Sequence, residues 1–171
     1  MPSTETIPAA AVEEPLRLVA RDLAMRAAGA VGLAGIALIH LLDSIGKYHE
    51  TRYVFWLYVA LMVGSVVTAA VVLTRGNRLA WSAACGLAVG AIAGYVLSRT
   101  TGLPNAKDDI GNWTEPLGLA SLFVEGCVVA LSVYALGVSR SVRTLWQAPA
   151  GRRPARRAGA AGQPAWRASS R

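Results

Sequence analysis

The sequence predicts an all-α fold: a polytopic membrane protein built as a compact bundle of four transmembrane helices. Three observations carry this. Of 171 residues, 54% are hydrophobic and only 16% are charged, against about 25% charged in an ordinary soluble domain. The apolar residues gather into four runs of 19 to 22 residues, at 23–42, 53–73, 79–97 and 117–138. At about 1.5 Å of rise per residue, each run crosses a hydrocarbon layer of about 30 Å. The charged residues fall mainly between the runs. A soluble bundle would need polar helix faces, which these runs lack, and a β-barrel would need alternating rather than continuous apolar residues.

The first twenty residues hold three prolines and several acids, and are expected to be a disordered cytoplasmic segment. Helix 1, LAMRAAGAVGLAGIALIHLL, follows them. It does not read as a cleaved export signal, because acids rather than a short basic region precede it and no small-residue cleavage site follows. Helix 2, YVFWLYVALMVGSVVTAAVVL, carries Ser65 and Thr68 in its inner half. Helix 3 carries Gly86, Gly90 and Gly94, each four apart, a smooth stripe suited to close helix contact within the chain or across a dimer. Tyr53, Trp56, Tyr58, Trp81 and Tyr95 lie near helix ends, as an interfacial aromatic belt would. Cys85 and Cys127 show no CxxC spacing and are expected as small buried hydrophobes.

Basic residues set the topology. Arg17, Arg21, Arg26, Arg75, Arg78 and the eight arginines after helix 4 make 13 on one side, against Lys47, Arg52, Arg99 and Lys107 on the other. The positive-inside rule then places both termini in the cytoplasm of a cell inner membrane. The net charge of +7 therefore sits beside the lipid surface rather than in a groove for nucleic acid, which is not an expected partner. The low-complexity tail at 139–171 is expected to be basic and mostly disordered.

The polar residues inside the apolar runs need an account. Glu125 lies roughly 12 Å below the outer end of helix 4. A bare carboxylate there costs several kcal/mol unless it is paired, hydrated or protonated. It should face the bundle interior, with Ser121, Val128 and Ser132 on the same helical face. On helix 1, His40, Asp43 and Lys47 share a face by their spacing of three and four. His40, Asp43 and Glu125 together form a candidate site near the outer leaflet. A histidine with carboxylates suits a proton or a divalent metal, the one cofactor to consider. No HxxxH, ExxH or CxxC spacing marks a metal site, and the simpler reading is that His40 and Glu125 hydrogen-bond between helices.

The acidic loop at 98–116 includes GLPNAKDDIGNWTEP. Asn105 favours a turn, Asp108 or Asp109 can cap a short helical turn, and Trp113 can dip into the interface. Glu115 meets the positive end of helix 4, and Pro116 suits its first turn. The loop exceeds the usual short connection, so Asp108, Asp109, Trp113 and Glu115 are candidate residues of an ordered lid.

The segment TTGLPNAKDDIGNWTEPLGLASLFVE, with HLLD at 40–43, resembles the third loop and fourth helix of small four-helix membrane proteins from high-GC actinobacteria. The resemblance covers about residues 20–138. That family has no assigned activity, so the resemblance implies topology and origin, not a catalytic role.

No nucleophile elbow, phosphate loop or zincin signature is present, so an enzyme is the weakest reading, metal-assisted chemistry at the outer leaflet being the form it would take. Two functions fit. The first is a structural or accessory subunit, held by lipid and by a membrane-protein partner or a second copy through a glycine-lined face. The second is a small sensor or carrier with a proton or metal site near the outer leaflet.

Overall fold

The computed structural model describes residues 9–105, 107 and 109–147. Asp108 and the basic segment 148–171 lie outside the described residues. Four helices follow one another along the chain: α1 Ala9–Glu50, α2 Arg52–Thr74, α3 Arg78–Thr100 and α4 Pro116–Gln147. Among the described residues there is no strand beyond one isolated bridge residue at Leu103. All four helices contain a span long and apolar enough to cross a membrane: Leu16–Ile45, Arg52–Thr74, Arg78–Thr100 and Pro116–Val138. The protein is a multi-pass four-helix membrane bundle.

The helices exceed the apolar runs at both ends of the chain. α1 begins at Ala9, so most of the segment expected to be disordered is helical. Its residues explain why: AAAVEEPLRLVARDLAMR is rich in Ala, Leu, Glu and Arg, the strong helix formers. Glu13–Arg17 and Asp22–Arg26 add ion pairs at i,i+4 spacing, at 3.4 and 2.6 Å. α1 also runs on through DSIGKYHE, leaving Thr51 alone between it and α2. α4 continues past Val138 to Gln147.

At the turn between α2 and α3, Gly76 adopts φ +54°, a left-handed conformation that suits glycine. Arg26 packs directly beneath it. Asn77 then caps α3, its side chain accepting from the Ala80 N–H at 2.9 Å.

Lipid gives helices no hydrophobic reason to associate, so close van der Waals contact must hold them. Glycines of α1 permit it. Gly29 lies under the Trp81 ring, Gly32 against Val128 and Gly35 against Val124, which brings α4 onto α1 and seats the Trp81 ring of α3 on it. The core comprises Leu33, Ile36, Val72, Trp81, Ala84, Ala88 and Val128. Trp81, expected in the interfacial belt, is instead 2% exposed and central. The large side chains of Val31, Leu38, Val66, Phe123 and Val133 point outward, where lipid covers them. Cys127 is also outward, Cys85 is half-buried, and both are free thiols.

Candidate functional site

The helices do not fill the space they enclose. Toward the end where α1 meets α2 and where the α3–α4 loop lies, they leave a cavity of about 480 Å³ that opens sideways between α2 and α3, where Leu57, Gly86 and Gly90 are exposed. α2 and α3 approach closely where Leu87 packs on Gly64. Outward of that contact, Val54 and Leu57 of α2 and Gly90 and Gly94 of α3 line the same cavity. The glycine stripe of α3 was expected to pack against another helix. A Cβ added at Gly86, Gly90 or Gly94 would instead meet nothing within 4 Å; Gly86 and Gly90 are exposed, and the stripe forms one side of the α2–α3 cleft with no helix packed on it.

Glu125 lies in the cavity lining on α4. It is 1% exposed, and Ser121, Val128 and Ser132 of the same face are buried with it. The Ser121 hydroxyl donates to Glu125 Oε1 at 2.6 Å. Oε2 is buried and has no hydrogen-bond partner among the described residues. An unpartnered polar atom in such surroundings carries a desolvation cost of about 1–3 kcal/mol, more if charged.

His40 faces Glu125 from α1, with Nε2 4.0 Å from Oε1. Its other ring nitrogen, Nδ1, lies 2.9 Å from the Ile36 carbonyl. A carbonyl oxygen only accepts, so Nδ1 carries a proton. In the neutral ring Nε2 is then a lone pair turned toward a carboxylate. Two acceptors face each other unless one proton is added to the pair. With it, the pair is either imidazolium–carboxylate or imidazole–carboxylic acid.

Asp43 lies one step further out. It accepts from the Tyr58 hydroxyl at 2.7 Å. The Tyr58 ring stands edge-on to His40, with centroids 5.0 Å apart. Tyr58 is therefore a site residue of α2 rather than a belt residue. His40, Asp43 and Glu125 do not close into one ligand set. Among the described residues no group of three His, Cys, Asp or Glu side chains is placed to hold a metal ion.

Arg99 lines the mouth at the loop end. It sits in the last turn of α3, 5% exposed. One guanidinium nitrogen contacts Asp109 Oδ1 at 2.8 Å and the other Glu115 Oε2 at 2.5 Å. Its own carbonyl accepts from the Gly111 N–H at 2.9 Å. Tyr95 stacks beneath the guanidinium at 5.0 Å and donates to the Trp113 carbonyl at 3.2 Å. Further out, Thr51 and Tyr53 donate to the carbonyls of Asn105 and Pro104 at 3.3 and 2.8 Å. The described residues of the loop are thus tied to α3 and to the start of α2. Asn105 takes φ 57°, as a turn asparagine can, and Pro116 opens α4. Trp113 is 44% exposed and packs edge-on to Tyr95.

Reading the sequence did not single out Arg99, Tyr58 or Tyr95 for the site. For Arg99 the signal was available: one arginine at the end of an apolar helix, followed within sixteen residues by Asp109 and Glu115. Together these features define a four-helix membrane protein with an acidic, loop-capped cavity. The chain matches no protein-family model, no curated protein and no solved structure.

Proposed function

We propose that the protein is a small membrane sensor or carrier whose proton-binding site is the His40–Glu125 pair. The observation that carries this is the arrangement at Glu125: an almost fully buried carboxylate facing Nε2 of a histidine whose Nδ1 is committed to a carbonyl. From the other elements, Tyr58, Asp43, Tyr95, Arg99, Asp109 and Glu115 line the same cavity. An ionised carboxylate in hydrocarbon is costly, so its charge must be cancelled by a proton or a bound cation. The cavity supplies a way in. A divalent metal is the weaker reading, since the carboxylates are dispersed rather than convergent.

The accessory-subunit reading depends on a glycine-lined face for a partner, and the exposed Gly86 and Gly90 suit it; the buried Glu125 facing His40 favours the proton site over it. We place the capped mouth outside the cell, on the strength of the arginine count, with both termini cytoplasmic. Single cysteines at Lys107 should then react with an impermeant maleimide in intact cells. Labelling only after lysis would reverse the orientation.

The proton site is tested by infrared difference spectroscopy of the full chain in nanodiscs, between about pH 5 and 8. A carboxyl band and an imidazole band should change over the same pH interval. In Glu125→Gln the carboxyl band should be lost and the imidazole band should move to a different pH. Bands that ignore pH, or that Glu125→Gln leaves unaltered, would refute the site.

A further inference from the structure

We infer that the cavity between α2 and α3 binds a compact hydrophobic amine, whose ammonium group hydrogen-bonds to Glu125 Oε2 while its apolar body lies against the glycine stripe of α3. The inference rests on the reading of Glu125 and His40 as a proton site, and it names what takes the proton's place.

Four features of the cavity set the ligand's chemistry. Its volume, about 480 Å³, is that of a site for a small organic molecule. Its walls between mouth and floor are apolar: Ile39, Leu57, Leu61 and Leu87 face the bare backbone of Gly86 and Gly90. A molecule without an apolar body would leave those walls poorly filled. Glu125 is the third feature: the residue lines the cavity, and its Oε2 is a buried acceptor that lacks a donor among the described residues. A ligand that donates a hydrogen bond there removes a standing cost, and a cationic donor also cancels the charge.

The fourth feature is the sign of the field. The charged lining comprises Asp43, Asp109, Glu115 and Glu125 against one arginine. That arginine is already engaged by Asp109 and Glu115. An anion entering would meet surplus carboxylate at the mouth and again at the floor. A cation is drawn to both. A lipid-borne amine fits less well, because its phosphate would lie beside the same carboxylates that draw the ammonium. The expected occupant is therefore a free amine.

Proton balance follows. The amine enters as R–NH₃⁺ while the His40–Glu125 pair holds one added proton. The ammonium takes over the carboxylate, and that proton leaves to the outer solution. One positive charge replaces another, with no bond made or broken in the ligand. Around Glu125 the groups involved are His40 from α1, Ser121 from α4 and Tyr58 from α2. α3 contributes only glycine and apolar wall at this depth, its Tyr95 and Arg99 lying nearer the mouth.

The test is calorimetric titration of the full chain in phosphatidylcholine nanodiscs, with 1-aminoadamantane as the probe. 1-Adamantanol and adamantane-1-carboxylate share its shape and differ in charge. The amine should bind, the alcohol more weakly, and the carboxylate not at all. Glu125→Gln should weaken the amine about tenfold or more, since it removes a charge-assisted hydrogen bond. Gly90→Leu should abolish binding by filling the cavity, and its side chain enters open space, so it keeps the fold. Equal binding of the carboxylate, or amine binding that survives both substitutions, overturns the inference. Competition by phosphatidylethanolamine would overturn the assignment to a free amine. Repeating the titration in two buffers of different ionisation enthalpy should show about one proton released per amine, as the exchange requires. Amine binding without proton release overturns the proton-site reading. No amine binding, with the infrared titration of Glu125 intact, overturns the amine site alone.

Discussion

Arg99→Ala should destabilise the protein by about 3 kcal/mol and release the loop that caps the cavity. Arg99 is 5% exposed and holds Asp109 and Glu115 at once, from two different nitrogens. Removing it leaves three carboxylates, of Asp43, Asp109 and Glu115, around the mouth with no guanidinium among them. It also removes the cation stacked over Tyr95. The acids are about one-third exposed, so water recovers part of the loss, and the estimate belongs at the low end for a broken buried pair. Thermal unfolding in dodecyl maltoside reads the stability. Hydrogen exchange at Ile110–Trp113 reads the loop, because the Gly111 N–H bonds the Arg99 carbonyl. Arg99→Lys should recover only part, as an ammonium cannot reproduce a planar fork that reaches two carboxylates. Adding Glu115→Gln to Arg99→Ala should recover more than additivity allows, since the acid is then no longer an uncompensated charge. An Arg99→Ala protein with unchanged exchange in the loop would show that the Thr51 and Tyr53 contacts hold the cap unaided.

This cap illustrates how far the sequence could be read. The four spans are plain in it, because a stretch of about twenty apolar residues has few other physical uses. So was the burial of Glu125. A carboxylate eight positions into an apolar helix must face inward, and its i−4 and i+7 neighbours are serines that share that face. The juxtaposition of His40 with Glu125 could be framed because both lie near the same end of their helices. Rotation about the helix axes decided the rest. Asp43 sits one turn beyond His40, and that small difference turns it to Tyr58 instead of Glu125. Aromatic position misled for a related reason. Depth along a helix suggests an interfacial belt, but whether a ring meets lipid or a neighbouring helix depends on which face it occupies. Trp81 lies over Gly29 of α1 and is buried, while Trp56 of α2 is 62% exposed. The helical extensions at both ends were missed because hydropathy marks where a helix enters lipid, not where its hydrogen bonds stop.

Glycine spacing was the least decisive signal, and a pair of substitutions separates its two meanings. Gly32→Ala and Gly90→Ala make the same chemical change in the middle of a helix. Backbone entropy alone favours each by about 0.5–1 kcal/mol. The surroundings differ. A Cβ at Gly32 would stand 2.6 Å from Val128 Cγ2, inside van der Waals contact. Val128 is fully buried in the α1–α4 contact and cannot simply swing away, so α1 and α4 must separate or Val128 must leave its rotamer. That strain costs about 1–3 kcal/mol and outweighs the entropy gain. Gly32→Ala should therefore lower the thermal midpoint in micelles, and Gly32→Leu should prevent recovery of folded protein. At Gly90 no atom lies within 4 Å, so Gly90→Ala should leave the midpoint unchanged or raise it. Pairing Gly32→Ala with Val128→Ala should restore much of the loss, because the clash is between those two positions and no others. If Gly90→Ala proved as damaging as Gly32→Ala, α3 would have to close against another surface in the membrane, and the stripe would be an interface rather than one side of a cleft. The two glycine series thus assign opposite physical roles to one sequence pattern: α1 uses its glycines to bring helices together, and α3 uses its glycines to leave room between them.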